Sequence, residues 1–98
     1  MSDIKDLNFK QSKSPKGVVA SVNFPNGFGA SIICNDMSYG GKAGLFEVAV
    51  IDSKGNLTYD TDITDDVLGW LDEKDVERTL DAIRQLDSDG NLPNGVKL

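Results

Sequence analysis

Between Asp60 and Glu77 the chain places eight carboxylates: Asp60, Asp62, Asp65, Asp66, Asp72, Glu73, Asp75 and Glu77. Carboxylates at such density could ligate a divalent cation, carry protons, stand where nucleic-acid phosphates would sit, or start helices. Metal chemistry fits the spacing poorly. Asp60-x-Asp62 is followed by Thr64 where a calcium loop wants a further acid or amide, and no glycine stands at the sharp turn. Asp87-Ser88-Asp89-Gly90-Asn91 has its glycine too early. An irregular, weak divalent-metal site is what remains of that reading, and no cofactor is expected. Paired-carboxylate glycoside chemistry needs a cleft that holds two acids roughly 5–10 Å apart. Nothing in the pattern suggests such a cleft.

Other reactive groups are scarce. The chain has no histidine, which removes Ser-His and Cys-His nucleophilic systems and nearly all zinc sites. Cys34 is the only thiol, and its strand position points it toward an apolar face, as a core cysteine. Ser38-Tyr39-Gly40-Gly41-Lys42-Ala43-Gly44 lacks phosphate-loop spacing and opens no evident helix, so it reads as a flexible glycine-rich connection. An enzyme is not expected.

Charge narrows the partners. Residues 60 to 81 hold nine acids and two bases, a net −7 inside a chain of net −6. The first sixteen residues lean basic, with Lys5, Lys10, Lys13 and Lys16 against Asp3 and Asp6. A strongly acidic surface repels phosphates, which argues against direct binding to nucleic acid or anionic lipid and suits a basic protein surface. No apolar run approaches the roughly 20 residues of a membrane helix. The N-terminal MSDIKDLNFKQSKSPKG has no apolar signal core, and one cysteine excludes an internal disulfide. A cytoplasmic protein is expected.

These residues need elements to hold them. Ninety-eight residues make one domain with a modest core. Residues 1–16 read as a flexible or loosely docked basic arm, which Ile4, Leu7 and Phe9 could anchor. Residues 17–87 read as the domain, and 88–98 as a tail. GVVASVNFPNGFGASIICND predicts a β-hairpin. With Pro25-Asn26-Gly27 as the loop, Val22 faces Ala30, Ala20 faces Ile32 and Val18 faces Cys34, so one face is wholly apolar. LFEVAVID predicts a third strand, and NLTYDT a short fourth after the Ser53-Lys54-Gly55 turn. ITDDVLGWL predicts a turn or short helix capped by Thr64. The last element is a helix. Asp72 is its N-cap, Asp75 stands at N3, Leu71 can staple to Val76, and Val76, Leu80 and Ile83 recur at helical spacing. The expected fold is α+β: a four-stranded antiparallel β-meander packed against one C-terminal α-helix.

Much of the acidity is explained by helix starts. Asp65 and Asp66 lie near one expected start, and Asp72, Glu73 and Asp75 in the first turn of another, each favoured by about 0.3–1 kcal/mol at an exposed site. Glu73, Glu77 and Asp81 are not explained as a set. They stand at i, i+4 and i+8, where like charges cost about 0.2–0.5 kcal/mol per pair. Lys74 and Arg78 offset part of this. With Asp60 and Asp62, the stripe could build a continuous negative face. Trp70 lies between two acidic groups. Its expected place is the core under the helix; exposed, it would make an interface anchor.

Several strings carry a resemblance: Asn26-Gly27-Phe28-Gly29-Ala30-Ser31, Ser38-Tyr39-Gly40-Gly41, Leu45-Phe46-Glu47-Val48-Ala49-Val50, and Tyr59-Asp60-Thr61-Asp62-Ile63-Thr64-Asp65-Asp66-Val67-Leu68-Gly69-Trp70-Leu71. Over roughly residues 26 to 86 the pattern resembles small proteins encoded by tailed bacteriophages and prophages. These mostly carry no assigned activity, so no site residues transfer. The resemblance implies a bacterial cytoplasm and action on a host or phage partner. The expected function is a small acidic interaction module that binds and inhibits a basic host protein, one that handles nucleic acid or serves defence. Asp60, Asp62, Asp65, Asp66, Glu73, Glu77 and Asp81 form the expected face, with Trp70 as anchor. The alternatives are a virion or assembly component and a weak metal-binding module.

Overall fold

The computed structural model describes residues 7–13 and 16–94. Ile4 and the rest of the first six residues, Ser14, Pro15 and residues 95–98 lie outside the described residues. Five strands form one antiparallel sheet in sequence order: β1 (Lys10–Lys13), β2 (Lys16–Asn23), β3 (Gly29–Asn35), β4 (Phe46–Ile51) and β5 (Leu68–Leu71). One helix follows, α1 (Glu73–Arg84). The α+β class holds, but the sheet has five strands rather than four.

The central hairpin has the register that burial demands. Val18 pairs with Cys34, Ala20 with Ile32 and Val22 with Ala30. Ala20, Ile32, Ala30, Val48 and Val50 are buried on the face that α1 covers, with Val76, Leu80 and Ile83 from the helix. A slip of one residue would turn that whole apolar set to water, which is why pattern alone fixes the register. Cys34 is half-buried, and its thiol donates to the Gly41 carbonyl at 3.6 Å.

The strand count differs at both edges. Lys10–Lys13, polar in sequence, pairs along β2 as an edge strand. Leu7 and Phe9 pack against the core just before it, and the Phe9 and Phe46 rings lie 5.7 Å apart. Lysine-rich edges are a common guard against unwanted strand pairing, so polarity there masked a strand. At the other edge, NLTYDT makes one bridge among the described residues, Leu57 to Ile51, and Leu57 and Tyr59 are exposed. The place beside β4 belongs instead to β5, where a turn or short helix was expected. Leu68 and Leu71 pack against the core, which the alternative strand could not match.

Two loops share one construction. In Asp52-Ser53-Lys54-Gly55-Asn56 the Asp52 carboxylate accepts from the amides of Lys54 and Asn56. In Asp87-Ser88-Asp89-Gly90-Asn91 the Asp87 carboxylate accepts from those of Asp89 and Asn91. The glycines have φ of +85° and +82°, which suits a residue without Cβ. These two carboxylates close their own turns, a role that short aspartate side chains fill well.

Candidate interaction surface around Trp70

β5 joins β4 through a bulge. Phe46 pairs with Leu71 and Val48 with Leu68, so Gly69 and Trp70 together stand opposite Glu47. Trp70 has φ of +58°, the one positive value at a non-glycine among the described residues. For a bulky side chain the left-handed region costs about 1–2 kcal/mol, and bulges of this kind re-aim a side chain. Here the side chain is aimed outward: Trp70 is 64% exposed. The expectation that Trp70 lies in the core is therefore corrected. Leu68 and Leu71 take the inward positions, and the extra residue in the bulge turns the ring out.

The bulge is held by the connection between β3 and β4. The Trp70 amide donates to the Tyr39 carbonyl at 3.1 Å. The Tyr39 amide donates to Glu47 Oε1 at 3.1 Å, which ties the same residue to β4. Two glycines allow this approach. A Cβ on Gly69 would strike the Cβ of Tyr39, and one on Gly40 would lie 2.9 Å from the Trp70 Cα. The connection is no loose loop. Asn35 and Ser38 exchange side-chain and backbone hydrogen bonds, and a single 3-10 turn, Gly41–Ala43, returns the chain to β4. Tyr39 and Met37 emerge from it 59% and 81% exposed. Two exposed aromatics, Tyr39 and Trp70, thus stand beside the edge of the sheet, on backbone joined by a hydrogen bond.

The acids are held by different elements. Thr58, Thr61 and Thr64 each accept from the amide two residues ahead, those of Asp60, Ile63 and Asp66. This series of threonine turns bends the connection from β4 to β5, so Thr64 caps a turn rather than a helix. It leaves Asp60, Asp65 and Asp66 exposed while Ile63 is buried. Asp62 is exposed too, but its carboxylate accepts from Leu92 at 2.9 Å and its amide donates to Gly90, which ties this connection to the loop after α1.

At the helix start the capping box is complete. Asp72 Oδ1 accepts from the Asp75 amide at 2.8 Å, and Asp75 Oδ2 from the Asp72 amide at 3.2 Å. Glu73 is exposed. Glu77 and Asp81 are half-buried and already engaged with other groups. Arg84, on that same flank of α1, lies 4.6 Å from the Phe24 ring, so the stripe looks toward the end of β2. The acids therefore fall into two groups, one on the helix flank and one in the β4–β5 connection. Trp70 lies between them in the chain, after Asp65 and Asp66 and before Asp72 and Glu73.

Among the described residues no three carboxylate or thiol groups converge as a metal site. No helix among them is long and apolar enough to cross a membrane. The chain matches no protein-family model, no curated protein and no solved structure. Sequence reasoning passed over Tyr39 and Met37 as site residues. The one signal available was the glycine beside each aromatic, Tyr39-Gly40 and Gly69-Trp70, because close backbone approach requires glycine.

Proposed function

We propose that this chain is a small acidic protein-interaction module of phage or mobile-element origin, which binds a basic surface on a bacterial nucleic-acid-handling or defence protein and inhibits it. One observation carries the interaction part: a tryptophan held 64% exposed on a bulge, in a backbone conformation that disfavours it. A solvated surface has no use for that arrangement, whereas tryptophan is enriched among the residues that dominate protein interfaces. The partner's basic character follows from charge. The chain carries net −6, and carboxylates precede and follow Trp70. Such a field steers a basic protein to the surface and occupies the place of its phosphates. The phage origin rests on the resemblance of residues 26 to 86.

The test is capture from bacterial lysate at low and high salt, with three variants beside the native chain. Trp70→Gly removes the anchor. Asp65→Asn/Asp66→Asn/Glu73→Gln neutralises exposed acids around it, and Glu73→Gln/Glu77→Gln/Asp81→Asn neutralises the helix stripe. A nucleic-acid-binding protein held at low salt, released at high salt and lost with Trp70→Gly is the expected result. Capture that ignores Trp70 and all the acids would remove this surface from the mechanism. Self-association or phage structural proteins alone would favour an assembly role.

A further inference from the structure

We infer that the patch formed by Trp70 and Tyr39 receives an arginine side chain of the partner, an inference that rests on the interaction-module reading above. The first observation is the pair of exposed aromatics, 64% and 59% accessible, joined through the backbone by the 3.1 Å bond from the Trp70 amide to the Tyr39 carbonyl. The second is charge. From Gly55 to Glu73 the chain has six carboxylates and no lysine or arginine. Trp70 therefore stands in an anionic stretch bounded by Lys54 and Lys74, the Glu47 carboxylate lies at the Tyr39 amide, and Lys42 is the one base in the connection that carries Tyr39.

Three kinds of flat group stack on such faces, and charge separates them. A nucleobase brings its phosphate, which this segment repels. A neutral ring or sugar leaves the carboxylates without a counter-charge. A guanidinium satisfies both demands, since it stacks on an aromatic face and forks its donors to carboxylates. Lysine fits less well, because its ammonium is a strongly hydrated point charge with no plane to stack. The patch is also pre-organised: Gly69 and Gly40 let the two chains touch, and Glu47 holds the Tyr39 amide. Little ordering of the backbone is left for binding to impose.

Trp70 is the only tryptophan, so its fluorescence reports this site alone. The full chain is titrated with the acetylated, amidated peptide Gly-Arg-Gly-Arg-Gly and with its lysine and citrulline counterparts. A saturable change in Trp70 emission is expected with the arginine peptide, weakened by salt and absent with citrulline. Arginine should bind about two- to fivefold tighter than lysine, the ratio that a cation–π advantage at an exposed site supplies. Trp70→Gly, followed by calorimetry, should bind none of the peptides. Equal affinity for arginine and lysine would reduce the effect to charge alone and overturn the inference, as would an unsaturable response or equal binding of citrulline. A captured partner that depends on Trp70, without arginine preference in the peptides, would sink the inference and leave the module reading standing. An arginine-selective response with no captured partner would do the reverse.

Discussion

Asn26 Nδ2 lies 2.8 Å from the carbonyl oxygen of Ile83, 57 positions away in the chain. The same amide nitrogen lies 3.0 Å from the Leu86 carbonyl and 3.1 Å from that of Arg84. Its Oδ1 accepts from Phe28 at 3.0 Å, which closes the hairpin loop. One side chain thus shapes the β2–β3 turn and satisfies the end of α1, whose last carbonyls have no helical partner. The hairpin and the helix are locked end to end by this residue.

Replacing Asn26 by Ala should cost about 1–2 kcal/mol of unfolding free energy, because the half-buried bonds to the Ile83 and Leu86 carbonyls are lost. Asn26→Asp should cost more, since it sets a carboxylate against three carbonyl oxygens. Urea unfolding of both variants checks this, and a loss below about 0.5 kcal/mol would mean that water replaces the amide.

At position 70 glycine should be more stable than alanine. Trp70 has φ of +58°, where alanine retains the strain and glycine does not. The difference should be about 1 kcal/mol in favour of Trp70→Gly, the reverse of the order in ordinary strands and helices. Thermal unfolding of the pair decides it. A more stable alanine variant would show that the bulge relaxes once the ring is gone.

Gly69→Ala should disturb the patch from beneath. The added methyl meets the Tyr39 Cβ, and neither side of that contact can swing away without moving backbone. A loss of about 1–3 kcal/mol is expected, with a shift in Trp70 emission as the connection lifts. Unchanged emission would mean that the patch does not depend on this close approach.

Asp72→Ala should cost about 1 kcal/mol through loss of the N-cap, and Asp72→Asn much less, because asparagine caps nearly as well. Equal losses for the two would point to the charge of Asp72 rather than its hydrogen bond as the stabilising feature. Helix content by circular dichroism, followed through urea unfolding, distinguishes them.

The legible parts of the fold were those in which neighbouring residues decide one another's state. The hairpin register followed from the alternation of Val18, Ala20 and Val22 against Ala30, Ile32 and Cys34. The helix start followed from Asp72 and Asp75. Both edge strands were missed, because an edge is defined by which segment wins a place beside a neighbour. Lys10–Lys13 looks like a polar tail until Phe9 is seen against Phe46, and Leu68–Leu71 looks like a turn until it displaces NLTYDT from β4. In the candidate surface the acids were plain from composition, and their division between the helix flank and the β4–β5 connection was not.

The sequence by itself determined an acidic α+β chain, its central hairpin, its capped helix and the exclusion of histidine chemistry. These depend on composition and on residues within a few positions of one another. The tertiary structure alone decided that Trp70 faces water. That outcome needs Leu68 and Leu71 both turned inward with one residue too many between them, and Tyr39, brought from 31 positions away, to hold the bulge through its carbonyl. A backbone hydrogen bond between distant peptides leaves no mark on residue types beyond the glycines that let the two chains meet.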